Sequence, residues 1–299
     1  MTPSTATATP EAKFTRNDLG MLMTVAIWGA NITVAKQVFL AMTPGAFIAL
    51  RFGLASVLLA LLVVGRGGTL RASRATWLHA LWVGIIGNSV YQLLFMNGLN
   101  RTTGANTALL IATAPVFTAL YEVFRGREKP SRAGWAGIAL SFLGMVLVLS
   151  ARGAALGGTT LVGDLMILGA AVCWAIYTVG ARPLLAEHSA LKVTAMTMLT
   201  GTPLLLLLGA PALATTQWAA LPPGAWGGVA YSTLLAIVVC YWIWYGSVRR
   251  VGAIRTGIYG NLVPVFGVLT AALVLSEPLY PLQGVGAAAI LGGLWLSRR

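Results

Sequence analysis

Acid–base and metal chemistry have few side chains to work with in this sequence. The 299 residues include two histidines, His79 and His188, and two cysteines, Cys173 and Cys240. Asp and Glu together number 7. An integral-membrane enzyme would need an acid–base pair, a nucleophile with its base, or a metal cluster, and none is legible. Cys173 and Cys240 fall in apolar runs and read as free thiols. No catalytic residue, metal site or cofactor is expected. The chain is rich in aromatics instead: its 10 Trp, 8 Tyr and 9 Phe equal the charged residues in number. Rings stack on such side chains, while indole N–H, phenol and amide groups satisfy amino or carboxyl groups. A wall built this way suits a small molecule with a ring and a polar end. A cation could also use the ring faces.

Spacing groups these residues. Trp28 and Asn31 lie three apart on one helical face, and Trp174 and Tyr177 repeat the interval. Tyr231, Tyr241, Trp242 and Tyr245 fall within about 120° of one another at 100° per residue, with Trp244 turned toward lipid. Trp82, Gln92, Leu93 and Met96 occupy matching positions earlier in the chain. A cavity wall would produce this face, and so would aromatic helix packing. Asn31 in a bilayer needs a partner, either another helix or a ligand. Asn106, Thr107 and Leu110 correspond to Arg255, Thr256 and Tyr259.

Pro115 and Pro264 stand inside apolar runs, where proline frees a carbonyl and either hinges the helix or kinks it for packing. Arg51, about 10 Å inside its span, could be pinned by Asp164, Glu277 or backbone carbonyls. It could equally gate a pathway or meet a ligand carboxylate. His79 could relay protons or make an interface hydrogen bond. Glu122 is expected at the surface beside Arg125 and Arg127. Glu128 and Glu277 each precede a new helix, which suits an N-terminal dipole role. A phosphorylated ligand would call for several mid-depth Lys or Arg, which are missing.

Long helices must position these groups. With 58% hydrophobic and 9% charged residues and a mean hydropathy of +0.82, a soluble globule or a disordered chain is excluded. Continuous rather than alternating apolar runs exclude barrel strands. Ten membrane-spanning helices are expected, near 18–40, 44–64, 76–98, 103–124, 132–150, 161–185, 190–209, 224–248, 254–275 and 280–297. Breaks at Gly209–Pro211 and Pro222–Gly224 divide a long uncharged stretch. Residues 1–17 read as a disordered tail, and no signal peptide is evident. With ten spans, 16 basic residues fall on one side and 3 on the other. The positive-inside rule makes the basic side cytoplasmic, with both termini there. The net charge of +13 is thereby an orientation signal, and nucleic acid is not expected as a partner.

The chain also repeats. Gly98–Glu128 and Ser247–Glu277 align without gaps, sharing Thr107/Thr256, Pro115/Pro264, Val116/Val265, Phe117/Phe266 and Glu128/Glu277. The same offset pairs Gly137 with Gly286 and Gly144 with Gly293, and a slightly smaller one pairs Trp28 with Trp174. Five spans per half force the halves into opposite orientations, the inverted-repeat plan of secondary transporters. Trp28-Gly29, its copy Cys173-Trp174, Arg51-Phe52 and the Pro115 and Pro264 segments resemble the drug/metabolite transporter superfamily, EamA type. The aromatic load is similar to that of bacterial aromatic-amino-acid exporters.

The resemblance implies two five-helix repeats, 18–151 and 152–299, around a central cavity, with outward transport across a bacterial inner membrane. The expected cavity wall is Trp28, Asn31, Trp82, Gln92, Asn106, Thr107, Trp174, Tyr177, Tyr231, Tyr241, Trp242, Tyr245 and Tyr259. Gating or coupling falls to His79, Arg51, Pro115 and Pro264. The expected partners are a small-molecule substrate, the lipid bilayer and candidate coupling protons, with the monomer as the working unit. Another metabolite or a drug cation is the alternative cargo.

Overall fold

The computed structural model describes residues 15–124, 131–150, 159–260 and 262–296. Among them every regular element is helical. The first half holds α1 (Arg16–Val38), α2 (Pro44–Gly65), α3 (Arg74–Arg101), α4 (Gly104–Phe124) and α5 (Arg132–Ser150). The second holds α6 (Thr160–Glu187), α7 (Ala190–Thr215), α8 (Pro223–Val251), α9 (Ala253–Gly260 with Val263–Leu275) and α10 (Pro281–Leu296). Seven of these are long and apolar enough to cross a bilayer by themselves, and the chain is a multi-pass membrane protein. The expected tail lies outside the described residues as far as residue 14, as do Arg125, Arg127 and Glu128.

Local chemistry sets the helix ends. Thr15 and Asp18 form a reciprocal capping box at α1, and Thr43, Ser73 and Ser189 cap α2, α3 and α7. Gly252, at φ +87°, supplies the left-handed turn between α8 and α9. The expected break at Gly209–Pro211 is absent: α7 continues through Pro211 to Thr215. Gly209 serves packing rather than helix termination. A Cβ there would lie 2.5 Å from the Cβ of Ala49 on α2, so only glycine permits this approach.

The halves interleave. α1 packs against α8 and α9 of the other half, and its copy α6 packs against α3 and α4. α2 runs along its own copy α7, and α5 along α10. Repeat-related residues therefore meet across a pseudo-two-fold axis, as in any self-complementary contact. Ser56 and Thr202 share a 2.5 Å hydrogen bond, and the Ser141 hydroxyl donates to the Ile290 carbonyl at 3.3 Å. A Cβ on Gly144 would lie 2.6 Å from the Gly286 carbonyl oxygen, and one on Gly293 would lie 2.5 Å from that of Gly137. The glycines matched in sequence are thus reciprocal partners in the fold.

Two departures from regular α-helix recur in both halves. α3 is a π-helix over Ile85–Val90 and α8 over Tyr231–Val239, ending at matched residues. α4 breaks between Ile111 and Ala114, and α9 between Gly260 and Val263. Tight turns bridge both breaks: Thr113 N–H donates to the Leu110 carbonyl, and Leu262 N–H to that of Tyr259. Pro115 and Pro264 therefore open the second helical piece, where a missing N–H costs nothing, rather than kink a continuous helix.

Candidate functional site

A cavity of about 90 Å³ straddles the pseudo-two-fold axis. Both helix breaks reach it, through Ile111, Ala114 and Pro115 on one side and Gly257, Gly260 and Val263 on the other. Paired discontinuous helices of this kind mark the binding site in inverted-repeat carriers.

The centre of the cavity is an aromatic stack. The matched tryptophans Trp28 and Trp174 meet edge to face at 5.3 Å. Tyr91, Tyr241 and Trp244 surround Trp174 at 5.1, 5.5 and 5.4 Å. Such pairs contribute about 0.5–1.5 kcal/mol each beyond their area burial. The Trp28 indole N–H donates at 2.8 Å to the Ala236 carbonyl, inside the π-helix of α8. That of Trp244 donates to the Thr178 hydroxyl at 3.4 Å.

The cation and both amides of the lining come from one half. Arg51 is 1% exposed and its guanidinium donates to Gln92 Oε1. Gln92 in turn donates to the phenol of its own repeat partner, Tyr241, at 3.2 Å. The Arg51 guanidinium lies 4.7 and 5.4 Å from the ring centres of Phe47 and Phe52. Its Nε is buried without a hydrogen-bond partner, and among the described residues no carboxylate pairs with it. Asn31 accepts from the Ser232 hydroxyl at 2.5 Å. At the matching places the second half has Thr197, Tyr241 and Tyr177. The cation and amides are therefore confined to one half, whereas the lining aromatics come from both: Trp28, Tyr91 and Phe95 from the first, and Trp174, Tyr241 and Trp244 from the second.

Of the residues singled out from the sequence, Trp28, Asn31, Arg51, Gln92, Pro115, Trp174 and Tyr241 line the cavity. Tyr177 and Tyr245 stack behind Tyr241, 5.0 Å apart and fully buried. Trp82 stacks on His79 at 5.2 Å and is 36% exposed; His79 Nε2 pairs with the Gly180 carbonyl at 2.8 Å. The Tyr231 hydroxyl donates to the Ile27 carbonyl at 3.0 Å. Trp242 faces away from the cavity, beneath Arg66. The Tyr259 hydroxyl donates to Asp18. Asn106 donates to Asp164 at 3.3 Å and accepts from Gln283 at 2.5 Å, tying α4 to α6 and the start of α10. Thr107 is buried, its hydroxyl on the Thr103 carbonyl. Pro264 is buried beside the lining residue Val263.

Several other expectations are corrected. Trp244, expected toward lipid, is 3% exposed and lines the cavity. A π-helix intervenes between Tyr231 and Trp244, and it rotates everything beyond it by about 100° per inserted residue relative to a regular α-helix. Glu122 is buried and pairs with Arg182 at 3.1 Å. Glu277 does not cap the helix that follows it. It pairs with Lys36 at 3.5 Å and accepts the Gly104 and Ala105 N–H groups at the start of α4 in the other half. The dipole role is real, but the helix served is a distant one. Tyr91, Phe95 and Thr118 also line the site; the aromatic-and-amide spacing gave no reason to select them.

Comparisons with known proteins bear on the family and the fold. The EamA-like transporter family profile matches residues 15–150 and again 161–299. The uncharacterized transporter YyaM of Bacillus subtilis is 28% identical over 269 residues, covering 89% of this chain and 88% of that protein. A probable terminal-alkyne amino-acid exporter of Streptantibioticus cattleyicolor is 31% identical over 296 residues, covering 93% and 95%. A solved structure described only as the crystal structure of a protein superposes with a TM-score of 0.63. It is 20% identical and covers 94% of this chain and 96% of its own, so it supports the fold alone.

Proposed function

We propose an occupant for the central cavity, and the premise is that this chain belongs to the EamA-like transporter family. The occupant is an aromatic amino acid or a similar amphipathic zwitterion, exported across the bacterial inner membrane with both chain termini in the cytoplasm. One observation carries the reading: a partner-poor buried guanidinium and two amides, all from one half, share the cavity with a cluster of aromatic rings drawn from both. A carboxylate fits Arg51 and Gln92, since a guanidinium offers five donors in a fork that matches two oxygens. The side-chain ring fits among Trp28, Trp174, Tyr241 and Trp244. Arg51 disfavours a cationic drug, which would meet like charge in a dry site. The amino-acid exporter among the relatives points to the same class.

The cavity is smaller than the roughly 300–1,000 Å³ of pockets that enclose drug-sized ligands, so its walls must part for loading. An ion pair joins the halves at each end of the bundle, Glu122–Arg182 at one and Lys36–Glu277 at the other. Opening one end while the other stays paired gives alternating access. The test is counterflow of labelled Trp or Phe in proteoliposomes, with and without a pH gradient. Absence of saturable exchange for every aromatic amino acid overturns the substrate assignment. A rate indifferent to the gradient removes protons as the coupling partner.

A further inference from the structure

A second recess lies on the other face of α8 and is not explained by transport through the central cavity. It encloses about 700 Å³ where α2 ends, α7 begins and α8 ends. Tyr241 and Trp244 point from α8 into the central cavity, whereas Trp242, on another face of the same helix, lines this recess. Three guanidiniums surround it, Arg66, Arg249 and Arg250, all exposed at their outer ends. Arg66 lies 4.5 Å from the centre of the Trp242 ring. Among the described residues none of the three pairs with a carboxylate. Like charges gathered without a counter-ion repel, and an anion among them removes that cost. Ser189 and Leu191 bring the positive end of α7, a 26-residue helix, to the same place.

We propose that this recess binds the headgroup of an anionic phospholipid. The lining favours a lipid over a soluble anion because it is amphipathic. Buried Val63 and Leu191 form an apolar floor beneath the cationic rim. α2 continues from it toward the bilayer centre with exposed Val64 and Leu61, a surface suited to acyl chains. The Arg66 guanidinium over the Trp242 ring is a cation–π pairing. The bound lipid touches the helix that carries Tyr241 and Trp244, so lipid composition reaches the central cavity through α8.

The test uses the full chain in neutral detergent, titrated with phosphatidylglycerol, phosphatidylcholine or soluble glycerol phosphate, with lipid retention read by native mass spectrometry and stability by thermal shift. Each headgroup-facing arginine contributes about fivefold in affinity, corresponding to about 1 kcal/mol. The triple variant R66Q/R249Q/R250Q should therefore bind phosphatidylglycerol about 100-fold more weakly, and R66Q alone about fivefold more weakly. The single variant keeps the test usable if the triple one is poorly folded. Equal retention of phosphatidylcholine overturns the proposal, as does undiminished phosphatidylglycerol binding by R66Q and the triple variant. Competition by glycerol phosphate at equal concentration also overturns it, because it identifies a soluble-anion site.

Discussion

Replacing Arg51 separates a ligand contact from a structural anchor, since the two roles predict opposite results. Arg51 is the one cation among the described lining residues of the central cavity. Its Nε lacks a hydrogen-bond partner, and its guanidinium donates to Gln92 Oε1. If a substrate carboxylate completes this set, Arg51→Gln removes a charge-assisted hydrogen bond of about 1.5–3 kcal/mol. That corresponds to roughly a 10–150-fold weaker apparent affinity for Phe or Trp. Phenethylamine and tryptamine, which lack the carboxylate, should be handled no worse than by the wild type. Stability supplies the second readout. A buried cation with an unspent donor is costly to the empty protein, and an apolar residue of similar length is often neutral or stabilising in its place. Arg51→Met should therefore leave the thermal midpoint unchanged or raise it. Counterflow with matched amino acid and amine pairs, alongside thermal denaturation in detergent, measures both quantities. Equal losses for the acid and amine substrates, or a marked fall in midpoint for Arg51→Met, would refute the carboxylate contact and restore the helix-pinning role.

Other substitutions test the remaining geometry. A Cβ on Gly87 would lie 1.8 Å from Cδ2 of Tyr177, whose ring is fully buried against Tyr245. Gly87→Ala should cost about 1–3 kcal/mol by overpacking, seen as a lower thermal midpoint. Because Gly144 and Gly293 make reciprocal approaches to backbone, Gly144→Ala and Gly293→Ala should destabilise by similar amounts; a large difference between them would contradict the symmetry of α5 and α10. Glu277→Gln keeps an acceptor for one of the Gly104 and Ala105 N–H groups, sets an amide NH2 against the other, and loses the charge paired with Lys36. It should destabilise by about 1 kcal/mol, with the difference shrinking at high salt. His79 sits against Gly180 and Trp82, outside the central cavity. His79→Ala should leave any pH-gradient response of counterflow intact, and loss of that response would assign His79 to coupling.

Helix number and the repeat were legible in the sequence because both depend on long-range averages. A span is a sum of twenty hydropathies, and an offset match tolerates local error. Individual orientation was less legible where the helical period itself changes. Tyr231 and Tyr241 lie on one wheel face only if the intervening residues keep 100° per residue, and Tyr231–Val239 do not. The same fault separates Trp82 from Gln92 across Ile85–Val90. Trp28 and Trp174 stand in helices without a π turn, and their rings meet at the cavity. Charged residues are illegible for a different reason. Sequence proximity offers Glu122 and Glu277 only near neighbours, whereas their partners Arg182 and Lys36 come from the opposite half. A repeat match shows that two segments are alike but does not show that they interleave.

The interleaving is also what gives the cavity a direction. On a pseudo-two-fold axis, every group in one wall has a counterpart in the other, and a perfectly repeated sequence would build two identical walls. A ligand with distinct ends would then bind in two opposed orientations with equal affinity. The chain departs from its own repeat at three lining positions of the first half: Asn31 corresponds to Tyr177, Arg51 to Thr197 and Gln92 to Tyr241, and of these counterparts Tyr241 lines the cavity. Thr197 cannot stand in for Arg51, because its hydroxyl is spent on the Val193 carbonyl at 3.0 Å. Elsewhere the repeat is kept where close packing demands it, in Gly137/Gly286 and Gly144/Gly293, and within the cavity Trp28 and Trp174 keep it too. Symmetry is thus retained where α5 and α10 approach each other and in the paired tryptophans, and it is broken at Asn31, Arg51 and Gln92. The tenfold-or-greater penalty predicted for Arg51→Gln should have no equivalent at Thr197→Ala. A comparable loss of amino-acid affinity there would mean that the two walls contribute alike.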